Sequence, residues 1–195
     1  MIDFLKNIDT ELFLFFNGLH SDFFDFLMWW MSDKYVWIPF YAFLLFLLIK
    51  KYKQKSIIPI ITITLFVIAS DQTTVHLFKN TFQRYRPSQN LDLTGMVHIV
   101  NDYKGGLYGF VSSHASNVFG LATLLSLLLK NKTITIILIL WAIIVSYSRV
   151  YLGVHYPADI ACGAIVGFII AFILYKLSFS LNKRIYKKRR ISNVP

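Results

Sequence analysis

Long apolar runs separated by short polar connections dominate the sequence. A helix needs about 20 mainly apolar residues to cross the hydrocarbon core of a bilayer. Five segments have this character: 35–49, 56–78, 115–129, 133–148 and 158–177. Several are short, so the helices are expected to tilt or to extend past the apolar run. The pattern predicts an all-α, polytopic membrane helical bundle with about five transmembrane helices.

Residues 1–31 have a different pattern. Polar residues such as Asp3, Asp9 and Glu11 alternate with apolar ones at roughly helical spacing, and Asn17 and Gly18 interrupt the pattern. This favours two amphipathic helices at the membrane interface, although the second could instead begin a longer first span. The predicted organisation is an N-terminal interfacial segment, a transmembrane domain and a basic tail, at 1–31, 32–182 and 183–195.

Composition supports a membrane protein. The chain is 56% hydrophobic and only 15% charged, whereas soluble domains are nearer a quarter charged. The net charge of +10 could indicate nucleic-acid binding, but the charges lie in short clusters between apolar runs, so no nucleic-acid partner is expected. Cys162 is the only cysteine, which excludes an intramolecular disulfide.

Three basic clusters predict the orientation. Lysines and arginines are concentrated at 50–55, at 130–132 and at 183–190. Five spans place all three clusters on one side, which the positive-inside trend assigns to the cytoplasm. The C-terminus is then cytoplasmic and the N-terminus outside. A compact helical membrane protein of this kind is expected in a bacterial plasma (inner) membrane.

The opposite, periplasmic side collects a second set of polar residues. They stand at the ends of several predicted spans: Lys79, Arg84, Arg86, Ser112, Ser113, His114, Arg149, His155 and Asp159. Clustered cations repel one another at a low-dielectric rim, so they indicate an anionic partner. The planar guanidinium of arginine matches phosphate oxygens, and lysine supplies a point charge.

Two histidines add possible chemistry. Asp159 follows His155 by four residues, so on a helix the two share a face. Asp159 can accept the Nδ1–H of His155 and leave Nε2 as a free nucleophilic lone pair. His114 stands at a helix start, where a protonated imidazole could donate to a leaving oxygen. These parts predict phosphoryl transfer through a phosphohistidine.

Three segments resemble the signature motifs of the type-2 phosphatidic acid phosphatase superfamily. They are KNTFQRYRP at 79–87, VSSH at 111–114 and SRVYLGVHYPAD at 148–159. The first and third match fully. The second has Val111 in place of proline and Ser113 in place of glycine, which puts the loop conformation in doubt but not the proton donor. The resemblance covers about 56–177.

The resemblance implies a lipid phosphatase with its phosphate site at one membrane face. His155, His114 and Asp159 would be catalytic, and the phosphate would be bound by Lys79, Arg86, Arg149, Ser112 and Ser113, with no metal and no cofactor. Undecaprenyl pyrophosphate is the favoured substrate, followed by lipid A phosphate, then phosphatidylglycerophosphate or phosphatidic acid. A phosphotransferase, or a lipid-binding or flipping protein without catalysis, remains an alternative.

Other residues receive weaker assignments. Arg84 could bind a lipid headgroup or belong to the site. Asp71 and His76, within a predicted span, are interpreted as a structural pair beneath the site rather than as functional groups. Trp29, Trp30 and Trp37 are interpreted as interface residues. The long connection at 88–110 is expected to determine substrate selectivity, because loops of this length are often functional.

Overall fold

The computed structural model describes residues 2–192, and the side chains of residues 3–180. It contains seven helices of three or more turns: α1 Ile2–Gly18, α2 Asp22–Ser32, α3 Ile38–Tyr52, α4 Ile57–Phe82, α5 Ser113–Leu129, α6 Lys132–Tyr151 and α7 Pro157–Ser192. No strand occurs within these residues, where the only β pairing is an isolated bridge between Tyr85 and Tyr108. The all-α prediction is confirmed.

Within the described residues, three helices are long and apolar enough to cross a membrane: Ile57–Phe82, Lys132–Tyr151 and Pro157–Ser180. The other two predicted spans correspond to α3 and α5, which have 15 and 17 residues and are shorter than the usual crossing length. The count of five spans therefore stays a prediction. Most helices extend beyond their apolar runs, and a polar residue at such an end, Arg149, is buried among the connections.

Helix ends divide the bundle into two faces. At one face Lys51 Nζ donates to the Leu129 carbonyl, and the Tyr52 hydroxyl donates to the Leu128 carbonyl at 2.9 Å. These contacts join the end of α3 to the end of α5, beside the lysines of the connections. At the other face lie the end of α4, the starts of α5 and α7, and the end of α6. The residues of the three motifs are on this second face, which we call the motif face.

Glycines allow α5 and α7 to make backbone contact. A Cβ atom at Gly163 would lie 2.5 Å from the Ser112 carbonyl oxygen, and one at Gly167 would lie 2.0 Å from that of Ser116. Glycines four residues apart are a known means of close helix approach in membranes. The hydroxyl of the same Ser116 is 2.7 Å from that of Ser70 on α4. Together these contacts join α5 to both α4 and α7.

The N-terminal helices cover the motif face. The Asn17 amide donates to the carbonyl oxygens of Tyr151 and His98, at 2.7 and 3.0 Å, and accepts the backbone N–H of His98 at 2.8 Å. This buried side chain anchors the end of α1 to both α6 and the long connection. Residues 33–37 separate α2 from α3, so α2 is a helix of its own and not the start of the first span.

The connection between α4 and α5 is ordered over the same face. It contains three short 3₁₀ turns, at Pro87–Gln89, Leu91–Leu93 and Val100–Asp102. At the opposite end of the chain, the backbone of the predicted basic tail continues α7 as far as Ser192. The side chains of this tail, and residues 193–195 altogether, lie outside the described residues.

The glycine contact predicts a sensitive position. Gly167→Ala should destabilise the protein by roughly 1–3 kcal/mol, because its methyl group would overlap a backbone carbonyl that cannot rotate away. The midpoint of thermal unfolding or aggregation in detergent measures this effect. Gly18→Ala is the matched control, since its Cβ would meet no atom within 4 Å. An equal midpoint for both variants would contradict the packing argument.

Candidate active site

Lys79 is positioned by an irregular turn at the end of α4. The segment Thr73–Lys79 is a π-helix, a rare form that is often found at functional sites. The Lys79 ammonium donates to the Ser113 hydroxyl at 2.7 Å, and the Thr74 hydroxyl lies 2.8 Å from the same oxygen. The first motif thereby touches the second.

His155 and Asp159 meet as the spacing predicts. His155 Nδ1 lies 3.4 Å from Asp159 Oδ2, and both side chains are buried. The same carboxylate oxygen accepts the backbone N–H of Tyr156 at 3.0 Å, which fixes it at the start of α7. This contact orients the imidazole with Nδ1 as donor and Nε2 as acceptor.

The predicted free lone pair on Nε2 is wrong for this structure. Arg86 NH1 lies 3.2 Å from His155 Nε2 and also donates to the Val154 carbonyl at 3.1 Å. Arg86 therefore contacts the nitrogen that would attack phosphorus. Burial, with the nearby positive charges of Arg86 and Arg149, holds the pKa of His155 well below its ordinary value of 6.5. The imidazole is neutral at pH 7, as a nucleophile requires.

Arg86 itself remains charged. Burial and the charge of Arg149 lower its pKa to about 10, which still leaves the guanidinium protonated at neutral pH. Two glycines of the long connection make room beside it. A Cβ at Gly105, where φ is +66°, would lie 3.1 Å from Arg86 NH1, and one at Gly109 would lie 3.1 Å from Asp159 Oδ2. The connection thus packs directly on the site.

Arg149 approaches the site from α6 and is held by residues outside the motifs. It donates to the hydroxyls of Ser32 on α2 and Tyr103 in the long connection, the latter at 3.2 Å. Burial alone would raise the pKa of Tyr103, but Arg149 and Arg86 lower it. A cavity of about 310 Å³ lies beside Arg149, and its walls include Trp29, Tyr103 and His114.

This arrangement corrects the interpretation of Trp29. Its ring packs edge-on against that of Tyr103, with the ring centroids 5.6 Å apart. It also lines the same cavity as His114. It is thus part of the site wall and not only a membrane-interface residue. The sequence carried no signal for this contact, because nothing in the spacing relates residue 29 to residue 114.

The site has an excess of positive charge. Within residues 3–180, the ion pairs involve Lys6, Arg84, His98 and His155, and leave Lys79, Arg86 and Arg149 without a carboxylate partner. Arg86 and Arg149 are 8% and 3% exposed, and the Nε–H of each is buried with no acceptor among these residues. Buried, unpaired cations are costly, so the arrangement is suited to an anion.

The two serines of the second motif differ in position. Ser113 faces Lys79, as predicted for a phosphate site. Ser112 is fully buried, its hydroxyl accepts the backbone N–H of Ala115 at 3.4 Å, and its own N–H donates to the Asp159 carbonyl at 3.0 Å. Ser112 therefore caps α5 and links it to α7.

Arg84, whose role the sequence left open, connects two carboxylates. Its guanidinium donates to Asp159 Oδ1 at 3.0 Å and to Asp9 Oδ2 at 2.7 Å. Asp9, on α1, also accepts the backbone N–H of Ala158 at 2.8 Å and so caps the first turn of α7. Sequence reasoning missed Asp9, because no motif or spacing relates it to residues 150 positions away.

One other expectation needs correction. Asp71 and His76 are both exposed, and these two described side chains share no hydrogen bond or ion pair, so the predicted structural pair is wrong. His20 and His98, to which no role was assigned, stack in parallel with ring centroids 3.8 Å apart. His98 Nε2 lies 2.8 Å from Asp25 Oδ1, so the contact between His98 and Asp25 joins the long connection to α2.

Comparison with known proteins decides the family. The model of the PAP2 superfamily matches residues 60–183. The chain belongs to the PAP2 superfamily. It is an integral membrane protein and a phosphatase of this superfamily, which confirms the resemblance drawn from the three motifs.

Individual relatives agree with this assignment. A lipid A 4'-phosphatase from Bacteroides thetaiotaomicron is 40% identical over 187 residues, which cover 95% of this chain and 83% of the relative. An undecaprenyl-diphosphatase from Sulfolobus acidocaldarius is 33% identical over a region that covers 72% of this chain and 62% of the relative. A transmembrane PAP2-type phosphatidylglycerolphosphate phosphatase from Bacillus subtilis has the same fold, with a TM-score of 0.69 at 19% identity over 90% of this chain and 87% of that one.

Asp9 gives a testable prediction. Asp9→Asn should lower kcat for phosphate release about tenfold and change KM little, because it weakens the support of Asp159 without removing a phosphate-site cation. The kinetic constants are compared with those of Glu11→Gln, an exposed carboxylate on the same helix. If both variants had the wild-type kcat, the link through Arg84 would have no role in positioning.

Proposed function

We propose that this chain removes phosphate from a membrane lipid at the extracytoplasmic face, through a phosphohistidine on His155. The observation that carries this is the group of three cations around His155 that lack carboxylate partners: Lys79, Arg86 and Arg149. A phosphate or pyrophosphate group supplies the missing negative charge. Its oxygens are the acceptors that the buried Nε–H groups of both arginines lack.

The reaction has two steps. His155 Nε2 attacks phosphorus in line, forming the N–P bond as the bond to the lipid oxygen breaks, and His114 donates a proton to that oxygen. For a pyrophosphate the leaving group is the lipid phosphate. Water then attacks the phosphohistidine with His114 as base, which breaks the N–P bond and releases inorganic phosphate. The cations stabilise the charge of each transition state, and Asp159 stabilises the imidazole that carries the phosphoryl group.

Arg86 has two roles in this mechanism. In the structure it occupies the attacking nitrogen of His155. Binding of a phosphate draws the guanidinium towards the phosphate oxygens and exposes Nε2 to phosphorus. The hydrogen bond from Arg86 therefore blocks Nε2 of His155 until a substrate phosphate takes the place of the imidazole as the partner of Arg86.

The comparisons change the preferred substrate. Undecaprenyl pyrophosphate was favoured from the sequence, but the lipid A 4'-phosphatase relative is more similar and covers more of this chain than the undecaprenyl-diphosphatase. We therefore place lipid A phosphate first and undecaprenyl pyrophosphate second. Phosphatidylglycerophosphate and phosphatidic acid remain weaker candidates.

The orientation follows from the lysines of the face opposite the site. Residues 50–55 and 130–132 carry six of them, which favours a cytoplasmic location for that face and a periplasmic one for the site. A cysteine introduced at Gly18, with Cys162 replaced by alanine, should react with an impermeant maleimide on spheroplasts. Reaction only after the membrane is opened would place the site on the cytoplasmic side.

The decisive experiment measures phosphate release from a panel of lipid phosphates by the purified protein in EDTA. Wild type should act, and His155→Ala should lose several orders of magnitude, as expected for removal of a nucleophile. His76→Ala is the control, because this exposed histidine lies outside the site. Activity that survives in His155→Ala, or that EDTA abolishes, would refute the mechanism. Phosphate found on an acceptor lipid instead of in solution would indicate a transferase.

A further inference from the structure

The cavity of about 310 Å³ beside Arg149 is lined by only part of the proposed catalytic group. Among the described residues, His114 and Arg149 contribute to its walls, whereas Lys79, Arg86 and His155 do not. Phosphoryl transfer places the attacking and leaving atoms on opposite sides of phosphorus. Because His155 attacks and His114 protonates the leaving oxygen in the proposed mechanism, the leaving group lies on the side of His114, which is the side of this cavity. We call it the leaving-group cavity.

The segment between α2 and α3 forms another part of the walls of the leaving-group cavity. Asp33 and Lys34 line it, and both are exposed and lie outside the three motifs. Asp33 Oδ1 accepts the backbone N–H of Tyr35 at 2.9 Å, which holds the carboxylate in place and leaves Oδ2 as an acceptor. Lys34 has no carboxylate partner among residues 3–180. An accessible acceptor and an accessible donor therefore border the same space.

Two aromatic rings complete the leaving-group cavity. Trp29 and Tyr103 both line it and both are partly exposed. The Tyr103 hydroxyl accepts from Arg149 at 3.2 Å, so its own proton remains available to a ligand. Aromatic walls with a few polar groups are usual in small-molecule sites, and this volume is near the lower end of their range, about 300–1,000 Å³. The cavity therefore fits a compact headgroup and not a long chain.

We infer that the leaving-group cavity binds a sugar ring that carries the phosphate to be removed. Sugar hydroxyls both donate and accept, so they pair with a carboxylate that only accepts, Asp33, and with an ammonium that only donates, Lys34. The C–H groups of the ring pack against the rings of Trp29 and Tyr103. The polyprenyl phosphate released from undecaprenyl pyrophosphate is an anion, which Asp33 repels, and the diacylglycerol released from phosphatidic acid has no second hydroxyl for these groups. This inference rests on the proposed function and narrows its substrate class to lipids phosphorylated on a sugar.

The test compares two synthetic lipids that share a ring, a phosphate and an amide-linked palmitoyl chain. One is N-palmitoyl glucosamine 4-phosphate, and the other is the phosphate of an N-palmitoyl aminocyclohexanol, whose ring has no free hydroxyl. Affinity is measured with the His155→Ala protein, which cannot turn the lipids over, and phosphate release is measured with wild type. We expect the sugar phosphate to bind about tenfold more tightly, the usual effect of a hydrogen bond to a charged group.

Variants identify the groups responsible. Asp33→Asn keeps an oxygen for the N–H of Tyr35 but replaces the other carboxylate oxygen with a donor, and Lys34→Met removes the ammonium at similar length. At least one of them, in the His155→Ala background, should reduce the preference to about threefold or less. Asp92→Asn is the matched control, because this exposed carboxylate is not among the described residues that line the cavity.

The outcomes separate the two proposals. Equal affinity of the His155→Ala protein for both lipids would overturn the inference, as would a preference that neither variant reduces more than Asp92→Asn does. Tighter binding of undecaprenyl pyrophosphate than of the sugar phosphate, with the excess lost in Lys34→Met, would also overturn it and assign the cavity to an anionic leaving group. A clear preference for the sugar phosphate in binding, with no phosphate release by wild type, would refute the proposed function while leaving the sugar site intact.

Discussion

The whole arrangement depends on how closely α5 approaches α7. The second motif lies at the start of α5 and the third motif ends in the first turn of α7, so the separation of the two backbones sets the separation of the proposed catalytic groups. Without side chains at Gly163 and Gly167, the carbonyl groups of α5 lie directly against α7. The backbone bond from Ser112 to Asp159 continues this contact to the site itself. A packing feature of the membrane interior thereby determines the geometry of groups at its surface.

Charge is distributed unequally around His155, and each part has a separate purpose. Arg84 forms ion pairs with the carboxylates of both Asp9 and Asp159, so the groups that support the imidazole are paired among themselves. Lys79, Arg86 and Arg149 lack such partners and carry the net charge of the site. This separation keeps the orienting carboxylate from cancelling the three cations proposed to bind the phosphate. It also explains why Arg84 and Arg86, which are two residues apart in the sequence, have different partners.

The sequence predicted the helices and the three motif segments because each depends on local information. Apolar runs identify helices, and the four-residue spacing of His155 and Asp159 places them on one helical face. The errors concern contacts between distant parts of the chain. Asp9, Ser32 and Trp29 reach the site from the N-terminal helices, and no periodicity within residues 1–31 relates them to α6 or α7. The capping role of Ser112 was not predicted for a related reason, since a serine before a helix can serve as a cap, as a ligand or as both.

The cap that Asp9 supplies to α7 joins residues 9 and 158. During synthesis the ribosome releases the first of these residues long before the second. The Asp9 carboxylate can pair with Arg84 earlier, but its bond to the first turn of α7 forms only after residue 158 has been made. A chain that ends before the start of α7 therefore lacks both this cap and Asp159, the carboxylate that contacts His155.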